Sequence, residues 1–204
     1  MDSDTVLTTT RSVRLKLDLD RRVDDEVIRE CLRIAQQAPA AGALAASLRW
    51  IVVQDAHLRA RIAEPVRRLG LAALQQYGDL SADPRMKSAR HLLDVIDRVP
   101  VLILAAMLGA PGDTNGERSA FYGSAYPAIW SMQLALRSRG LGSTLALHHL
   151  MGGEQEVAEA LNIPEGVSQI ALLAVAHTTT ADFHPAKRPA LEDVAFADSW
   201  GHAL

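Results

Sequence analysis

The apolar positions of this chain recur at two periods, and the switching between them predicts helices interleaved with strands. From Asp24 the residues Val27, Ile28, Cys31, Ile34, Ala35 and Ala38 return every three to four positions, the spacing of one face of an amphipathic helix. Asp24 is placed to cap that helix, and Pro39 marks its end. An Ala/Gly stretch over 39–47 reads as a loop, and Trp50, Ile51, Val52 and Val53 then form a β-branched, aromatic run suited to a buried strand. Residues 56–98 carry Leu, Ala and Arg at helical spacing, and Pro65, Gly78 and Pro84 predict breaks that divide the stretch into two or three helices. The run 101–107 reads as a second strand, and the APGDTNGERS segment after it as an exposed loop.

A long helix is expected over 121–139, stopping at Gly140, where a left-handed cap is cheapest. Its apolar residues Tyr122, Tyr126, Ile129, Trp130, Met132, Leu134, Ala135 and Leu136 wrap nearly all round it, so it is predicted to be buried on several sides, partly by another subunit. A short strand over 144–147, a helix over 154–161 closed by Asn162 and Pro164, and an apolar strand over 169–176 follow. The tail over 183–204 has little periodicity and is expected to pack along a neighbour. No repeat or long linker divides the chain, so the expectation is one domain over 1–204, of mixed α/β (α+β) class with a covered sheet.

Composition narrows the function. With 204 residues, 49% of them hydrophobic, the chain can bury a core without staples, and its single cysteine, Cys31, excludes a disulfide scaffold. A net charge of −3 supplies no general attraction for nucleic acid or anionic membrane, so neither is expected as a partner and any anion site must be local. The N-terminal MDSDTVLTTTRS is acidic and polar, unlike a signal peptide. The longest apolar run, 99–110, contains Pro100 and falls short of the ~20 residues a membrane span needs. A cytoplasmic location is expected.

The densest basic cluster is Arg11-Ser12-Val13-Arg14-Leu15-Lys16, and a second is Lys187-Arg188. Two arginines flanking a serine can present forked donors and a hydroxyl to one phosphate, although the same spacing also suits a solvated edge. His148 and His149 are adjacent, and neighbouring strand residues point to opposite faces, so they are not read as a metal pair. No G-x-G-x-x-G follows a strand, and Gly123-Ser124-Ala125 lacks the second glycine of a nucleophile elbow. These absences argue against a Rossmann enzyme and a serine hydrolase.

Taken together, TTRSVR, the helix leading to an AP-plus-small-residue loop and an aromatic strand, LRSRGLGS, LNIPEG and KRPALEDV occur in an order that resembles the nitroreductase family of FMN-dependent oxidoreductases. The resemblance runs from about Val6 to Trp200. It implies a central antiparallel sheet covered by helices in an intertwined homodimer. It also implies that Arg11, Ser12 and Arg14, helped by Lys187 and Arg188, hold the FMN phosphate and ribityl chain, with Thr10 at the family's usual first basic position. The loop at Leu147 and His148 would supply backbone groups to the flavin ring. Where family members read P-S-x-x-N-x-Q-P-W, with side chains reaching the flavin from the partner subunit, this chain has Ala40, Ala41, Ala43 and Ala45. Two or three lost bonds at about 0.5–1.5 kcal/mol each would weaken the cofactor's hold by roughly one to three orders of magnitude.

The implied activity is hydride transfer from NADH or NADPH through FMN to an electron-poor small molecule such as a nitroaromatic or quinone, by a ping-pong cycle. Phe121, Tyr122 and Tyr126 are candidates for an aromatic substrate wall, with ordinary packing as the competing role. A flavin-binding, sequestering or regulatory relative without efficient turnover is the alternative.

Overall fold

The computed structural model describes residues 1–76 and 83–204. In it a five-stranded, wholly antiparallel sheet lies between two helical layers. The elements run α1 (Ser3–Thr9), β1 (Leu17–Asp18), α2 (Asp25–Ala35), β2 (Leu48–Val53), α3 (Ala56–Gln75), α4 (Pro84–Val95), β3 (Val101–Leu108), α5 (Asn115–Ser138), β4 (Leu141–Ala146), α6 (Glu154–Leu161) and β5 (Val167–Thr178). The last strand is the spine: β5 pairs with β3 and β4, and its final residues pair with β1, while β2 lies outside β3.

Strand alternation assigns the two cores. Val101, Ile103, Ala105 and Met107 of β3 face α2 and α5 with Cys31, Ile129 and Met132. Leu102 and Leu104 face the other way, onto Ile62, Val66, Leu93 and Val157 of α3, α4 and α6. A register shift at Ala105/Ala106 leaves Ile170 unpaired between Ala171 and Gln169, which is why Ile170 and Ala171 both fall in the first core. No helix among the described residues is long and apolar enough to cross a membrane.

Several element boundaries differ from expectation, each for a physical reason. Pro65 does not break α3: it is buried inside one continuous helix, where packing outweighs the lost backbone bond. Pro84 does open α4, at its first position behind the Asp83 cap. The expected break at Gly78 lies outside the described residues. Helix α5 begins at Asn115, six residues before the expected start, because Thr114 and Glu117 form a reciprocal capping box inside the presumed loop. Strand β4 starts at Leu141, and Gly42–Ala46 winds into a 3-10 turn within the Ala/Gly loop. Helix α1 was not expected at all. Its Thr8, Thr9 and Thr10 hydroxyls donate to carbonyls four residues back, with Asp2 capping the start.

Candidate functional site

The segment that follows α1 is tied to the edge of β4. Ser12 bridges to Ser143, and the Val13 N–H donates to the Ser143 carbonyl at 3.0 Å. Val13 packs inward over Gly142, where an added Cβ would lie 2.9 Å from Val13 Cβ and 2.7 Å from Thr178 Cγ2. Val13 is buried, and Ser12 and Arg14 beside it are more exposed. They line a cleft of about 660 Å³ together with Arg11, Lys16 and Arg188. Trp130 and Gln133 of α5, Leu145 of β4 and Phe183 of the tail are also in its walls.

The bare backbone at Gly142 is therefore a requirement of the site. Gly142→Ala should destabilise the protein by about 1–2 kcal/mol, the lower part of the range for overpacking, and weaken anion binding in the cleft along with it. Denaturant titration and anion titration of one preparation check both effects. An unchanged midpoint would show that the segment yields without cost.

The cleft is electropositive, with four cations and one carboxylate in its lining. Among the described residues Arg11, Arg14, Lys16 and Arg188 form no ion pair, and Arg11 Nη1 donates only to the His184 carbonyl, at 3.3 Å. The one carboxylate in the lining, Asp182, lies 2.9 Å from His184 Nε2. Arg14 is half-buried, and burial pushes its guanidinium below the ordinary arginine range, the sign of a charge held out of water without a counter-ion. Phe183 is clamped from behind by Arg137, whose guanidinium carbon sits 4.5 Å from the ring centroid. Gln133 is buried and donates to Ser143 Oγ at 3.2 Å, which links α5 to the strand that carries the segment.

The remaining candidates are distributed unevenly. Arg188 reaches the cleft and Lys187 does not line it. Leu147 is partly exposed at the start of the 3-10 turn His148–Leu150, which carries both histidines under α3. His148 approaches Gly70, and burial, then the charge of Arg14, lowers its pKa. Burial also pushes the Cys31 thiol up to about 11, so it is protonated and inert at neutral pH.

The alanine stretch docks on α5 away from the cleft: the Ala41 N–H donates to Ser124 Oγ at 3.0 Å. Ser124 precedes Gln133 by nine residues, about 14 Å along a helix axis. Along the same helix Tyr122, Tyr126 and Trp130 form a stripe about one turn apart, each about 40% exposed. Phe121 is a correction to the expected aromatic wall. It is buried in the first core, edge-on to Tyr122, because it faces inward on α5 where the two tyrosines face out.

The sequence places Leu145 in the loop expected at the flavin ring and Trp130 on the long helix, but does not single out Gln133 or Phe183. Gln133 had a visible signal, a lone amide in the apolar run 128–136.

Comparison with known proteins agrees with this architecture. The Nitroreductase family model matches residues 7–177. Iodotyrosine deiodinase, solved with FMN and 3-iodo-L-tyrosine, superposes with a TM-score of 0.74 at 20% identity, over 97% of this chain and 99% of that one. An FMN- and NADPH-dependent nitroreductase from Sphigopyxis sp. strain HMH gives a TM-score of 0.70 at 19% identity, over 98% of this chain and 100% of that one. At such identities the likeness is one of fold. An uncharacterised 15.4 kDa protein of Mycolicibacterium smegmatis is 33% identical over 112 residues, 49% of this chain and 74% of that protein. With the family model covering most of its length, the chain belongs to the nitroreductase family.

Proposed function

We propose that the chain, as one nitroreductase-like FMN-binding domain over 1–204, is an NAD(P)H oxidoreductase that works as a cytoplasmic homodimer on an electron-poor small molecule such as a nitroaromatic or quinone. The observation that carries this reading is the set of unpaired cations around the cleft, with half-buried Arg14 among them. A phosphate monoester carries nearly two negative charges and three acceptor oxygens, which suits guanidinium forks at Arg11, Arg14 and Arg188 beside the Ser12 hydroxyl. A volume of about 660 Å³ falls within the ~300–1,000 Å³ typical of cofactor and ligand sites. The FMN named with two of the solved structures supports the same cofactor here.

When bound, FMN would supply two-electron redox chemistry between NADH or NADPH and the acceptor. The chain's own residues hold and enclose. Arg11, Ser12, Arg14 and Arg188 would fix the phosphate, Leu147 and His148 would offer backbone groups to the ring, and Lys187 would add charge from the tail. Tyr122 and Tyr126 give planar substrates an apolar wall.

The homodimer is supported by the exposed stripe on α5 and by a tail that leaves Trp200 93% exposed. It is supported also by the distance of the alanine stretch from its own cleft, since a two-fold partner would bring Ala40, Ala41, Ala43 and Ala45 to the neighbour's cofactor. Those four side chains offer no hydrogen bond, and this favours the second reading, a flavin-sequestering or regulatory relative without efficient turnover.

A yellow preparation whose released pigment is FMN supports both readings, and anaerobic mixing with NADPH or NADH separates them. Rapid bleaching of the flavin band is expected, and a band that persists assigns the protein to storage or regulation. Ala43→Asn should tighten FMN by about 2- to 12-fold, the worth of one hydrogen bond, read as retention after desalting. Unchanged retention would place Ala43 away from the ring.

A further inference from the structure

A second cationic cleft lies where β1 leads into α2, and the flavin reading makes no use of it. Its volume is about 390 Å³, and Arg21, Arg22, Arg59 and Arg98 line it with Asp20 and Gln54. Arg59 is its fixed element. The Nε donates to the Gln54 carbonyl at 3.2 Å, and Nη1 to the carbonyls of Asp97 and Val99 at 3.0 and 2.6 Å. Three neutral acceptors hold the guanidinium plane without cancelling its charge, and among the described residues Nη2 has no protein acceptor. Gln54 is itself fixed by donating to the Val23 carbonyl at 3.3 Å.

The nearby acids are already engaged. Asp97 pairs with Arg67, Asp25 lies 3.5 Å from Arg22, and Asp18 Oδ1 accepts the backbone N–H groups of Asp20 and Arg21 at 3.1 Å each. The side chains of Arg21 and Arg98 are exposed and have no protein partner among the described residues. Among the described residues Asp20 is the one carboxylate in the lining, and with Arg22 facing Asp25 it is set against Arg21, Arg59 and Arg98. The surplus is felt at His177 in β5, whose pKa is lowered by burial and then by Arg21, against the opposing charge of Asp18.

Keeping like charges together costs free energy that a bound anion would offset. With Arg22 facing Asp25 and only Nη2 of Arg59 left to donate, the Arg21 and Arg98 forks take up two oxygens each and Arg59 one more; these five exceed the four oxygens of a single phosphate and are met by the six terminal oxygens of a diphosphate. We infer that this cleft binds a small phosphorylated anion of the diphosphate class, with Arg59 as the preset donor through Nη2 and Arg21 and Arg98 closing on it from the rim. This site is independent of the flavin reading and would stand if that reading failed.

The test is calorimetric titration of the full chain with pyrophosphate in excess FMN, so that the first cleft is filled, with orthophosphate in parallel. One equivalent should bind, at least about tenfold tighter than orthophosphate, and the double variant R21A/R98A should weaken it by about tenfold or more. Both replaced side chains are exposed and unpartnered, so the fold is not at stake, whereas changing Arg59 would strip three carbonyls. Equal affinity in the double variant, no uptake at millimolar pyrophosphate, or uptake abolished by FMN would each overturn the assignment, the last by placing the anion in the first cleft.

Discussion

Replacing Arg14 with alanine should lower FMN affinity by about 1.5–3 kcal/mol, roughly 10- to 150-fold, the range for hydrogen bonds to charged groups. Arg14 stands out from the other cations because it is half-buried, so its field is less screened than that of exposed Arg11 or Arg188. Arg14→Lys should fall between, since it keeps the charge and loses the planar fork. The same substitution should not lower the stability of the cofactor-free protein. The guanidinium has no counter-ion among the described residues, so truncation relieves a desolvated charge rather than breaking a pair. Quenching of FMN fluorescence gives the affinity, and thermal melting of the cofactor-free protein gives the control. An unchanged Kd removes Arg14 from the site, and a collapsed melt reassigns it to the fold.

How far these residues could be found without coordinates depends on what kind of signal marks them. Helix α2 shows itself because one face is buried and the other wet, so its sequence alternates at the helical period. Helix α5 hides its orientation for the opposite reason. It meets the sheet, α2 and the Ala/Gly turn, so apolar residues surround it, and nothing local says that Phe121 turns inward while Tyr122 and Tyr126 turn out. Helix α1 is built from threonines that favour strands in isolation and is held by side-chain bonds to its own carbonyls, which leave no hydrophobic period.

The cleft divides along the same line. Arg11, Ser12 and Arg14 stand in a basic cluster within an acidic chain, and Arg188 in another, and composition alone draws attention to both. That Arg188 and not Lys187 lines the cleft is decided by how the tail passes it, which no local pattern encodes. The walls at Trp130, Leu145 and Phe183 are apolar residues like any others, and only packing gives them a cavity to face. Gly142 is legible as part of a Gly-Leu-Gly turn, yet its reason lies 129 positions earlier in the chain, in Val13.

His149 connects this packing to pH. It is fully buried in the turn after β4, neither ring nitrogen has a partner among the described residues, and burial, then the neighbouring His148, lowers its pKa to about 4. The folded state therefore holds the neutral imidazole, whereas the unfolded chain takes up a proton near pH 6.5. Above that pH neither state binds the proton and stability is flat. Between about 6.5 and 4 only the unfolded state binds it, so stability falls by up to ~1.4 kcal/mol per unit, about 3 kcal/mol in all. Below 4 the loss levels off. His148 is shifted in the same direction and adds to it.

His149→Leu removes the titration and both unpartnered nitrogens with little added volume, so it should be neutral or stabilising at pH 7.5 and more clearly stabilising at pH 4.5. Because the turn follows the strand that contributes Leu145 to the cleft, FMN release from the parent should accelerate over the same acid range, and less so from the variant. Denaturant midpoints and flavin fluorescence at the two pH values measure both. Parallel pH dependence in parent and variant would show that the acid sensitivity comes from other groups.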